Sequence, residues 1–267
     1  GQVRDGGMAT IGGGNHFVEL QVVEEVVDRA RAHAWGVRAG QVAFMIHSGS
    51  RGVGKHVGAL WRDRARALWP KGQKFPAEGL FSLSLADQPA AVAGYLQAEA
   101  TAANYGFLNR LLLAELMRLR LRELFGELAA PLVYDLPHNI TLPIEGAARR
   151  WITRKGACPA EVEQPVIIPG SMGASSFLLV GRGSAGLRGS ASHGAGRATS
   201  RFEMGRHGRE DRDLGLEGVD CITLREERRI EEAPAAYKPI GPVIACQVEA
   251  GLVDVVARLR PLMTFKA

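Results

Sequence analysis

One histidine, His193, stands in the run Ser192-His193-Gly194-Ala195-Gly196-Arg197, without the Leu, Val or Ile at helical or alternating spacing that surrounds a core histidine. That setting points to reaction rather than packing, because small neighbours leave a neutral imidazole open to a substrate. Three further histidines, His16, His47 and His138, also lie beside Asn, Ser or Gly at the ends of apolar runs. Neutral imidazole is the commonest metal-ligand side chain, and ligands at the ends of separate strands can converge although far apart in sequence. Singly, each reads as well as a structural residue; four together favour a common site. His33, His56 and His207 have polar or helical neighbours and read as surface residues.

Glycine-rich turns accompany these histidines. "GSRGVG" after His47, "PGSMG" after an apolar run and "HGAGR" all expose backbone N–H groups that can cradle phosphate oxygens, with Arg51 and Arg197 placed to pair with them. None has the spacing of a phosphate loop or a dinucleotide fingerprint, and each alone reads equally as a plain turn. If "GNHFVELQVV" is extended, Asn15, Phe17 and Glu19 share one face while His16, Val18 and Leu20 share the other. One face could then hold a base and the other a metal. Phe17 could stack on a purine and Glu19 accept from a guanine edge, or Phe17 could be core and Glu19 a solvated charge.

The elements that must position these groups follow from the apolar runs. Extended segments are expected at 15–22, 42–46, 131–136, 165–168 and 176–181, each followed by polar or glycine-rich punctuation. Residues 55–68 read as an amphipathic helix, and 88–128, rich in Ala, Leu and Glu, as one long helix or two broken near Gly106. Without a regular strand–helix alternation or a repeat, the fold class is α+β, a mixed sheet core with surrounding helices.

Composition agrees with this and adds little specificity. At 46% hydrophobic over 267 residues the chain can bury a core, and its net charge of +5 favours anionic partners such as nucleic acid. Cys158, Cys221 and Cys246 are far apart, without a C-x-x-C pair, and read as reduced thiols. With no apolar run of membrane length and no signal-like start, a cytoplasmic location is expected.

Eight segments in order, "GGGNHFVEL", "HSGSRGVG", "HNITLPIE", "RKGACPA", "PGSMGASSF", "SHGAGRATSR", "EEAPAAYKPI" and "RLRPLMTFKA", resemble the motif series of the RtcB family of RNA-splicing ligases. The "TIGGGNHF" form is more similar to the bacterial paralogue group found beside the peptide release factor homologue PrfH. The resemblance implies an RtcB-like fold and a ligase that uses GTP and two Mn²⁺ ions to join an RNA 3′-phosphate, or a 2′,3′-cyclic phosphate after hydrolysis, to an RNA 5′-hydroxyl. It places this chemistry in tRNA splicing or RNA repair, with RNA as partner, no membrane, and an activating protein as an optional further partner.

Carried over by resemblance, His193 is the nucleophile that takes GMP, and His16, His47 and His138 are metal ligands. Asn15 and Asn139 contact phosphates; Phe17, Glu19, Ser176, Tyr237 and Lys266 enclose or hydrogen-bond guanine. Pro169, Gly170, Ser171 and Met172, with Gly194, Ala195 and Gly196, form loops around the nucleotide, and Arg51 and Arg197 serve phosphate or RNA.

Two departures stand out. Family members carry an upstream Asp-x-x-Cys segment that completes the metal pair, and none of the three cysteines here has fitting neighbours. That segment would precede Gly1, so residues 1–267 are expected to be the C-terminal portion of the ligase catalytic domain and to bind Mn²⁺ weakly by themselves. Thr153 stands where many members have His. The alternatives are a metal-dependent phosphoesterase or nucleotidyl-transfer enzyme sharing the site, and an RNA-binding remnant without chemistry. The intact His193 and its glycines argue against the remnant.

Overall fold

The computed structural model describes residues 6–146, 150–207 and 214–267. In chain order the elements are β1 (Phe17–Val26), α1 (Arg29–Ala34), β2 (Val42–His47), α2 (Arg51–Ala67), α3 (Pro89–Phe125), β3 (Asn139–Pro143), β4 (Trp151–Lys155), β5 (Ala157–Pro159), β6 (Pro165–Ile168), β7 (Ser176–Gly181), β8 (Ser190–Ser192), α4 (Arg201–His207), β9 (Asp220–Thr223), α5 (Glu226–Glu231), α6 (Ile240–Glu249) and β10 (Val253–Lys266). The chain divides into two compact units, one of Gly1–Thr10, Ser48–Leu112 and Ile140–Thr153, the other of Ile11–His47, Leu113–Asn139 and Arg154–Ala267. The fold is α+β.

The larger unit holds a six-stranded sheet in the order β2-β1-β10-β7-β6, with β9 parallel to the far end of β10. The sheet is buried on both faces, and β7 shows how its sequence achieves this. Leu179 joins a cluster with Val166, Ile168, Ile244 and Val253, while Leu178 and Val180 join another with Val23, Ala32, Val256 and Leu259. β10 is the spine, paired with β1 from Val26↔Ala257 to Val18↔Phe265 and with β7 over its first half. Pro261, which lacks the N–H a central strand needs, sits where the register with β1 shifts between Leu20 and Gln21.

In the smaller unit, α2 lays Trp61 and Ala65 against its neighbours, and Trp61 meets Tyr95 of α3 edge to face with ring centroids 5.9 Å apart. Asn109, fully buried on α3, donates to Ser48 Oγ at 3.0 Å and to the Gly49 carbonyl at 3.2 Å, and accepts from the Thr10 N–H at 3.1 Å. One side chain thereby pins the loop that starts α2.

One expectation is corrected. The segment 131–136 forms no strand: Pro131 and Pro137 bracket it, each removing a backbone donor, and β3 begins only at Asn139. Of the two readings of 88–128, the single long helix is the one observed, since α3 runs through Gly106 without a break. That glycine serves close approach instead, since a Cβ there would lie 3.4 Å from the Ser50 backbone nitrogen. His33 and His56 are exposed, and the side chain of His207 lies outside the described residues. Among the described residues no helix is long and apolar enough to cross a membrane.

Candidate nucleotide site

Strand ends in the larger unit bring the four histidines together. His47 closes β2 and is paired in register with Phe17, the first residue of β1. His16 immediately precedes β1, His138 precedes β3, and His193 follows β8. The His138 and His193 rings stack with centroids 4.1 Å apart and planes 19° from parallel, and His47 lies 5.1 Å from His138, 5.8 Å from His16 and 6.4 Å from His193. His16 stands before the strand, so the two-face alternation expected of it does not apply. His47 meets both the His16 ring and Phe17, the latter at 5.4 Å.

Burial disfavours the charged form of two of these imidazoles, His47 and His193. Enclosure, and then the neighbouring His138, His16 and His193, hold His47 well below the ordinary histidine value. Burial also lowers His193, opposed by a hydrogen bond to the Gly156 backbone and assisted by Lys155. Neutral imidazoles are what both a ligand and a nucleophile require. His47 Nε2 and His138 Nε2 face each other at 3.2 Å. That is the separation of two nitrogens each about 2 Å from one ion. Among the described residues no group of three His, Cys, Asp or Glu side chains is arranged to hold a metal ion. The two nitrogens alone are therefore spaced as a pair of ligands to one ion would be.

Around His193 there is open ground. A Cβ on Gly194 or Gly196 would meet nothing within 4 Å, and Gly196 has φ +73°, a conformation that favours glycine. The loop is held from below: the Ser192 N–H donates to Gln247 Oε1 at 2.7 Å, the Ser192 hydroxyl to the Gly194 carbonyl at 3.0 Å, and the Lys238 N–H to the Gly196 carbonyl at 3.0 Å. Packing does not demand a glycine at position 194, so the room there is available to a ligand. Asn15 and Asn139 are both exposed next to their histidines.

A buried polar network is built across β1, β7 and β10. Glu19 is fully buried; it accepts from Thr264 Oγ1 at 2.5 Å and from Gln21 Nε2 at 2.6 Å. Gln21 also donates to Ser176 Oγ at 2.9 Å, and Ser176 in turn accepts the Gly170 N–H at 3.0 Å, tying the Pro169–Met172 turn to the strand. Burial pushes the Glu19 carboxyl up to about 7 against the pull of Thr264, Gln21 and Lys266. Burial likewise brings Lys266 down to about 8 although Glu232, Cys221 and Glu19 oppose it. Met172 closes the turn at φ +40°, outside ordinary non-glycine backbone, with its sulfur 3.7 Å from Cys221 Sγ.

Glu232 was not singled out from the sequence, yet it organises this side of the unit. Its buried carboxylate accepts from the Tyr237 hydroxyl, from Arg197 at 3.0 Å and from Arg201 at 2.6 Å. Burial alone would raise Glu232, but Tyr237, Arg201 and Lys266 together outweigh it and hold the carboxyl below its usual range. Arg197 also donates to the Thr199 and Glu231 carbonyls at 2.9 and 2.7 Å. Its guanidinium is therefore spent on the protein rather than presented to a phosphate, because a buried carboxylate must be paired. In the smaller unit Arg51 adopts φ +51° at the start of α2 and donates from Nε to Thr10 Oγ1 at 2.9 Å. Gln21, Thr264, Cys221 and Arg201 were missed as well. Their only signal was proximity in sequence to motif residues, and in "EEAPAAYKPI" nothing tells which glutamate turns inward.

Comparison with known proteins places this arrangement. The chain is 36% identical over 96% of its length to the tRNA-splicing ligase RtcB of Pyrococcus furiosus, covering 29% of that protein. It is 37% identical over 96% of its length to the RNA-splicing ligase RtcB of Mycobacterium tuberculosis, covering 64% of it. Against the tRNA-splicing ligase RtcB of Pyrobaculum aerophilum the identity is 35%, with 59% of that protein covered. The chain thus spans less than two thirds of the length of these relatives. The family model described as tRNA-splicing ligase RtcB matches residues 2–267, and with the four imidazoles gathered at strand ends, the chain belongs to the RtcB family.

Proposed function

We propose that this chain carries the nucleotide-transfer centre of a cytoplasmic, GTP- and Mn²⁺-dependent RNA ligase, acting on RNA with a 3′-phosphate or 2′,3′-cyclic phosphate and a 5′-hydroxyl in RNA repair or tRNA splicing. The observation that carries the reading is His193, a neutral imidazole stacked on His138 and facing a glycine loop with room around it. A nitrogen of His193 attacks the α-phosphorus of GTP. The P–N bond forms, the bond to the β-phosphate oxygen breaks, and pyrophosphate leaves. An oxygen of the RNA 3′-phosphate then attacks the same phosphorus and releases His193. Finally the 5′-hydroxyl attacks the RNA phosphorus, GMP leaves, and a phosphodiester remains.

The chain's own residues supply orientation. Ionised Glu19 accepts from the guanine amino edge, Phe17 and Tyr237 bound the base, and Lys266 and Ser176 hydrogen-bond it. His47 and His138, with His16 beside them, would hold Mn²⁺, which when bound neutralises phosphate charge. Asn15 and Asn139, exposed beside His16 and His138, would contact phosphate oxygens. One domain over 1–267, continued by upstream metal ligands, is part of the same proposal.

The experiment is guanylylation. Protein incubated with Mn²⁺ and α-phosphate-labelled GTP should acquire label that is acid-labile and alkali-stable, as a phosphoramidate is. Label mapped by mass spectrometry to a residue other than His193 would overturn the assignment.

A further inference from the structure

The smaller unit carries a charged surface that the nucleotide site does not use. On α2, Lys55, Arg62 and Arg66 are seven and four residues apart and all exposed. At 3.6 residues per turn they form one stripe roughly 16 Å long. The stripe is turned away from the face that buries Trp61 and Ala65. Beyond the helix, Lys71 and Lys74 are exposed as well. Acidic compensation is thin: Asp63 meets Arg62 at 3.6 Å with both side chains at least 70% exposed, and among the described residues no other ion pair reaches the stripe.

The end of the stripe is aromatic. Phe75 is 53% exposed, held at its edge by Phe81 with centroids 5.2 Å apart, and the Arg66 guanidinium lies 5.6 Å from its ring centroid. Phe81 is itself braced by Trp69 at 5.5 Å. Cations along a line, ending on a rigid and open aromatic face, match what a single-stranded nucleic acid offers: regularly spaced phosphates and bases with π-faces. Like charges four apart weaken a helix. A polyanion laid along the stripe would remove that repulsion, whereas bulk water leaves it in place.

We infer that the stripe Lys55–Arg62–Arg66, extended by Lys71, Lys74 and Phe75, is a docking track for a single-stranded segment of RNA away from the ends being joined. The choice of RNA as the anion rests on the ligase reading, but the test does not depend on end chemistry. Anisotropy is measured with a fluorescent single-stranded RNA bearing a 5′-phosphate and a 3′-hydroxyl, which cannot be joined. The triple variant Lys55→Gln/Arg62→Gln/Arg66→Gln keeps good helix formers at exposed positions and should fold normally. It should bind about tenfold more weakly, with a log–log salt slope shallower by about 2, the value for three fewer phosphate contacts on a single strand. Phe75→Ala should lose about tenfold in affinity with an unchanged slope. A charge-matched control, Arg31→Gln/Arg182→Gln/Arg258→Gln, should bind as the parent does.

Unchanged RNA affinity and slope in the triple variant would overturn the proposal. So would an equal loss in the control, which would reduce the effect to net charge, or a loss confined to anionic lipid vesicles assayed in parallel. If the track variants lose RNA binding while His193 takes no label, the docking surface stands and the ligase reading falls.

Discussion

His193→Ala should abolish guanylylation and RNA joining together, because an attacking atom must lie in line with the departing pyrophosphate and no neighbouring imidazole can take its place. His138→Ala should lower labelling through loss of metal, so that raised Mn²⁺ restores part of it, a recovery His193→Ala cannot show. Titration of Mn²⁺ against labelling yield separates the two. The buried pair Glu19 and Lys266 predicts a pH dependence. A carboxyl near 7 in the fold and near 4.5 when unfolded contributes stability that is present below 4.5 and lost as pH rises through 7. The guanine contact proposed for Glu19 has the opposite requirement, since only the carboxylate accepts two N–H donors. GTP binding measured by calorimetry should therefore strengthen from pH 6 to about 8 as Glu19 ionises, and Glu19→Gln should flatten that profile. Lys266 pulls Glu19 down, so Lys266→Met should displace the profile to higher pH.

Among elements, the turn from β6 to β7 is the most tightly built. A Cβ on Gly170 would lie 2.1 Å from the Ala174 carbonyl oxygen and 2.5 Å from that of Ser175, both backbone atoms that cannot step aside. Gly170→Ala should cost about 3 kcal/mol and lower the melting temperature. Gly194→Ala, which meets open space, should leave melting unchanged and slow labelling, because the methyl enters room left for substrate. Both effects are read from thermal denaturation run beside the guanylylation assay. The sequence made β2, β6 and β7 legible because each is a short apolar run with glycine or a histidine at its end. β10 was hidden. Its 14 residues include Asp254, Arg258 and Arg260 as well as Pro261, and only partners on both sides make such a run a central strand. In the site, the motif histidines were readable from their settings, whereas Lys266 was singled out by family resemblance alone. Glu232 and the Arg197 pairing were not, because which buried charge answers which is decided by distances across the fold.

At the scale of the whole molecule, sequence-distant parts converge on one spot. Thr264 answers Glu19 across 245 residues, and Gln21 meets Ser176 across 155. A stop after Leu259 would remove the half of β10 that pairs with the start of β1 and with β9, and with it Thr264 and Lys266. Such a chain should show no cooperative unfolding transition by circular dichroism, whereas Lys266→Met should keep one. The central place of the last strand also sets the order of events during synthesis. A growing chain already exposes the residues of β1 and β7 before their shared partner has been made, and its sheet cannot close until β10 has been added. Products of a message broken before β10 therefore lack the partner that joins β1 to β7 and the Thr264 hydroxyl that answers Glu19.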